Sequence, residues 1–174
     1  NRMNEFSVKE GRVEGMTEYE YAVNAAGSIQ YILDRCPGIS MVINGGDIGN
    51  DYHPDPQAIR ETQREYMEAL YELSVPVYNC TDEGWDNRKY VILPDEMHDI
   101  CMRDNPAPNN YYYIDSADCD FRFVFLDVSD GDYRQDRSGQ YQGWMYAISD
   151  GQAEWFERTA LRTDRNVIVV CHGP

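Results

Sequence analysis

The chain has 174 residues, 42% of them hydrophobic, and a formal net charge of −16. Length and apolar content suit one domain with a sizeable core and argue against disorder. The charge argues against a nucleic-acid coat or scaffold role, which depends on Lys and Arg neutralising phosphates, and no apolar run reaches the roughly 18 residues of a membrane-spanning helix.

Residues 1–16 are polar and Gly-containing and read as loop, with no signal-peptide core. Thr17-Glu18-Tyr19-Glu20 reads as a capping box that opens a helix to about Arg35. Ala22, Ala25, Ala26, Ile29, Ile32 and Leu33 lie on its apolar face, and Cys36-Pro37-Gly38 stops it. Residues 39–44 form a strand. His53-Pro54-Asp55-Pro56 then turns into a second helix, capped by Asp55 with Pro56 at its first position. Ile59, Tyr66, Met67, Leu70 and Leu73 give that helix its apolar side, and Val75–Tyr78 is the next strand.

Residues 89–115 read as irregular because of Pro94, Pro106 and Pro108, apart from a short strand at Tyr111–Ile114. Phe121–Asp127 is a strand by alternation and composition. A Gly- and Asp-rich excursion covers 129–146. Ser149-Asp150-Gly151-Gln152 is a second capping box, and its helix is followed by a last strand, Val167–Val170. Helices alternating with apolar strands argue for α/β layers. The five cysteines include no CxxC pair, so a disulfide framework or zinc knuckle is not expected. A reducing, cytoplasmic setting is.

Two segments carry the chemistry. Met41-Val42-Ile43-Asn44-Gly45-Gly46-Asp47 is an apolar strand that stops in glycines and a carboxylate. Val167–Val170 runs likewise into Cys171-His172-Gly173-Pro174. Open α/β sheets hold ligands beyond the carboxyl ends of their strands. Asp47 and His172 are therefore metal-competent side chains delivered to one end of the fold. The plainer alternatives are that Asp47 caps a turn and that His172 is a core histidine satisfied by a backbone carbonyl. Asn50 and His53, just beyond Asp47, are candidates to meet a substrate phosphate, His53 otherwise being a surface residue. Asp127 ends a strand and either faces the site or serves as an N-cap or turn residue. Cys171 is expected to be a buried thiol, and His98 structural or exposed. Tyr111–Tyr113 and Trp144 either frame a cleft or pack.

From about residue 20 to the end, the order of these pieces resembles the calcineurin-like metallophosphoesterases. The matching features are Gly46-Asp47 after a strand, Val75-Pro76-Val77-Tyr78 running into an Asp-containing loop, Phe121–Asp127, and Ser149-x-x-Gln152-x-x-Trp155-Phe156 before a strand ending in histidine. The resemblance implies a four-layer α/β/β/α sandwich of two mixed β-sheets flanked by helices. It also implies two divalent ions (Mn, Fe, Zn or Mg) and hydrolysis of a small-molecule phosphoester. Asp47 would bridge the ions, with Asp82 and His172 as further ligands. Such ions polarise phosphoryl oxygens and make bound water acidic.

The sequence also departs from the family. Its D-x-H motif has no counterpart before residue 17, and its G-H-x-H motif would follow residue 174. Residues 1–174 are thus expected to be a single domain incomplete at both ends. Aligning Asp82 with the last residue of the family's GNHD motif puts Cys80 and Thr81 where Asn and His belong; counting from the strand puts Glu83 and Gly84 there. The competing expectation is a non-catalytic, phosphoesterase-like binding module. A serine esterase is set aside because Ile48, not Ser, follows Asp47.

Overall fold

The computed structural model describes residues 17–46, 56–81, 94–130, 134–135, 141–142 and 147–173. Helix α1 (Glu18–Leu33) starts as its sequence dictates. Thr17 Oγ1 accepts the Glu20 N–H at 3.1 Å, and Glu20 Oε2 accepts the Thr17 N–H at 2.8 Å. The box satisfies two otherwise unpaired donors. Strand β1 (Val42–Asn44) follows, then α2 (Pro56–Tyr71) and strand β2 (Val77–Asn79). Asp55, the expected cap of α2, lies outside the described residues. Helix α1 buries Ala22, Ala26 and Leu33, and α2 buries Ile59, Met67 and Leu70. Ile32, expected on the apolar face of α1, is instead 52% exposed.

Helix α3 (Pro94–Cys101) corrects the expectation of irregular chain across 89–115. Its signals are ordinary ones. Pro94 takes the first helical position, where its missing N–H costs nothing. Asp95 and Glu96 sit in the first turn, favourable to the helix dipole. Met97, Ile100 and Cys101 form one buried stripe. The prolines read as breakers, and one of them is a start.

Strands β3 (Tyr112–Asp115) and β4 (Phe121–Phe125) pair antiparallel. Strands β5 (Arg134–Gln135) and β6 (Tyr141–Gln142) form a minimal antiparallel pair inside the expected excursion. Helix α4 (Asp150–Trp155) continues into a π-helical turn, Phe156–Ala160, and β7 (Asn166–Val170) closes the order. β1 pairs parallel with β2, and β7 pairs parallel with β4, giving sheets β1-β2 and β3-β4-β7. The architecture is mixed α/β.

An aromatic layer joins the two sheets. Tyr112 and Phe125 stack at 4.5 Å between centroids, and Tyr78 of β2 lies 6.0 Å from Phe125. Tyr112 Oη donates to the Asn79 carbonyl at 2.9 Å, so the buried ring satisfies its polar end where β2 stops. On β4, Arg122 is held by both carboxylate oxygens of Asp115, at 2.7 and 2.9 Å. It also donates to the carbonyl of Ala160, which ends the π-helical turn. Among the described residues, no helix is long and apolar enough to cross a membrane.

Candidate functional site

The strands β1, β2, β4 and β7 bring Asn44, Asn79, Asp127 and His172 to their carboxyl ends. β1 and β2 run in register, with Asn44 opposite Asn79. The Cys80 N–H extends the ladder by donating to the Asn44 carbonyl at 2.9 Å. β4 and β7 are in register from Phe121–Asn166 to Phe125–Val170, and the Leu126 N–H adds a further rung to the Val170 carbonyl at 3.0 Å.

The two sheets meet where both apolar runs stop. His172 Nδ1 lies 2.7 Å from the Gly45 carbonyl. A carbonyl only accepts, so Nδ1 carries the proton, and in the neutral ring Nε2 then holds the lone pair. Imidazoles that bind metals are commonly oriented this way, by a backbone carbonyl on the opposite nitrogen. The plainer reading of His172 also expected a carbonyl partner, but in a buried core. The ring is half-buried, and its partner lies two residues before Asp47.

Gly46 has φ 103°, a conformation that favours glycine. Its N–H donates to Asn44 Oδ1 at 3.4 Å, and Asn44 Nδ2 donates to Asn79 Oδ1 at 3.0 Å. Asn79, 1% exposed, donates in turn to the Cys101 carbonyl at 2.6 Å.

Asp127 proves to be a buried turn residue. Its carboxylate accepts the Ser129 N–H at 2.9 Å. Burial pushes it up to about 6; the Ser129 N–H, Thr81 and Asn110 oppose that rise, and nearby Asp130 adds to it. Its peptide is gripped by Gln152. Oε1 accepts the Asp127 N–H at 3.0 Å, and Nε2 donates to the Asp127 carbonyl at 2.8 Å and to Asp130 Oδ2 at 3.1 Å. The second capping box is therefore only half built. Ser149 Oγ accepts the Gln152 N–H at 3.1 Å, but Asp130 takes the Ser149 N–H in Gln152's place. A cavity of about 120 Å³ lies between Asp127, Asp130, Asn110 and His98. Sequence reasoning missed this hub; the Gln three residues after Ser149 was its signal.

Cys171 is exposed, correcting the expectation of a buried thiol. A strand's side chains alternate between its faces, but both faces of β7 are partly open here, with Ile168 and Val169 exposed. Cys80 and Cys101 are the buried thiols among the described residues, and burial pushes Cys80 up to about 12. His98 is structural, its Nε2 3.0 Å from the Ala107 carbonyl. Tyr111 packs on Trp155 at 4.9 Å, and Tyr113 lies beneath the Arg122 guanidinium at 3.8 Å. Asp47, Asn50, His53, Asp82, Glu83 and Trp144 lie outside the described residues.

Among the described residues, no three His, Cys, Asp or Glu side chains converge as a metal site. The donor chemistry of His172 nonetheless suits a divalent ion, with a fixed tautomer and an imidazole nitrogen as ligand. No known protein family, curated protein or solved structure matches the chain.

Proposed function

We propose that the chain is a metal-dependent phosphoesterase of the calcineurin-like type, built on a four-layer α/β/β/α sandwich. The observation that supports it is the 2.7 Å contact from His172 Nδ1 to the Gly45 carbonyl, which ties the two motif-bearing strand ends together. In this reading Asp47, Asp82 and His172 hold two divalent ions, and Asn50 and His53 face the phosphoester. When bound, the ions supply charge to stabilise the phosphoryl group during hydrolysis. The chain's own contribution is orientation: Gly45 holds the imidazole, and the tight Gly46 turn leads the backbone into Asp47.

The second reading is a phosphoesterase-like module that binds without catalysis. It is favoured by Cys80 and Thr81, 0% and 1% exposed, where one alignment calls for the Asn and His of GNHD. Elemental mass spectrometry on protein purified without chelator, with p-nitrophenyl phosphate turnover in added Mn²⁺, separates the two. Near-stoichiometric dinuclear loading is expected, with turnover lost by at least a hundredfold in Asp47→Asn and in His172→Ala. A folded wild-type chain with neither metal nor turnover overturns the enzyme reading.

A further inference from the structure

Cys101 closes α3, so its carbonyl is among those a helix leaves without an intrahelical donor. Asn79 Nδ2 fills that need at 2.6 Å. The contact decides which end of the Asn79 amide is nitrogen, because a carbonyl cannot donate. Tyr71 Oη, 3.3 Å from the same nitrogen, is compatible with that assignment. Asn79 Oδ1 then faces Asn44 and requires a donor, which Asn44 Nδ2 provides at 3.0 Å. With its nitrogen committed, Asn44 presents Oδ1 to the main chain, where the Gly46 N–H meets it at 3.4 Å. Turning either amide over sets oxygen against oxygen at one contact and donor against donor at the next. Burial of Asn79 keeps water from repairing the mismatch.

We propose that Asn79 and Asn44 are positioning residues. They pass the polarity of the Cys101 carbonyl to the Gly45–Gly46 turn, and so aim the carbonyl that orients His172. The consequence for metal binding rests on the phosphoesterase reading; the hydrogen-bond relay does not.

Hydrogen exchange of the Gly46 amide in ¹⁵N-labelled protein, beside Mn²⁺ affinity by EPR, tests this in Asn44→Ser and Asn79→Asp. Serine keeps an oxygen able to accept from the residue two positions on, but it is too short to reach Asn79. A merely local turn would therefore survive in Asn44→Ser. The relay predicts that Gly46 protection falls about tenfold in both variants, as for one lost hydrogen bond, and that Mn²⁺ affinity falls with it. Wild-type protection of Gly46 in folded Asn44→Ser overturns the relay, even if Asn79→Asp fails to fold. If wild type binds no Mn²⁺, the phosphoesterase reading fails, and the exchange data still decide the relay.

Discussion

Gly45 and Gly46 look equivalent in the sequence and are not equivalent in the fold. Gly46 sits at φ 103°, whereas a Cβ added at Gly45 would meet nothing within 4 Å. Gly46→Ala should cost about 1–2 kcal/mol, and Gly45→Ala should be close to neutral; thermal melts of the pair read the difference directly. Asp127 gives a second prediction, in pH. Its folded value, about 6, lies above the ordinary carboxylate value of 3.8, so the native state holds the proton more tightly than the unfolded chain. Its contribution therefore falls as pH rises from about 4 to 6 and is flat above, a loss on the order of 2–3 kcal/mol. In Asp127→Asn, an amide that still accepts from Ser129, that part of the slope should vanish from urea titrations across this range. An unchanged slope would mean that Asp127 is ionised at no unusual cost.

At the scale of elements, what matters is how α4 docks on the end of β4. Gln152 is fully buried and answers both polar groups of the Asp127 peptide. Replacing it with leucine keeps the volume but strands a buried N–H and C=O. Gln152→Leu should lose about 1–3 kcal/mol, read as a lower urea midpoint at unchanged slope. The same residue shows the limit of local reading. Ser149-x-x-Gln152 is a capping box in sequence, but the end of β4 offers the glutamine two buried partners, and Asp130 accepts the Ser149 N–H instead. α3 shows the opposite failure, since Pro94, Asp95 and Glu96 were legible start signals hidden among other prolines.

For the molecule as a whole, the exposed edge matters most. Val167–Val170 is the unbroken apolar run of a strand covered on both faces. Yet Ile168 and Val169 are 39% and 44% exposed, and among the described residues β7 pairs only with β4. An apolar edge strand invites pairing with other chains. The protein should self-associate at high concentration, and Val169→Lys should shift sedimentation toward the monomer. Equal association in both proteins would place the contact elsewhere.

The sequence by itself determined the elements whose causes are local: the Thr17 cap, the apolar faces of both long helices apart from Ile32, the runs that became β1, β4 and β7, and the glycine turn before Asp47. It also placed His172 just past a strand end, because an apolar run that stops in a polar residue marks that place without any knowledge of neighbours. Only the tertiary structure decided that Gly45 and His172 meet, that Gln152 serves β4 rather than its own helix, that Cys80 rather than Cys171 is buried, and that two carboxamides link α3 to the turn. Each of these joins residues more than 20 positions apart or depends on which face a sheet leaves open. Spacing along a chain carries no record of such contacts; packing creates them, and burial then makes the polar ones obligatory.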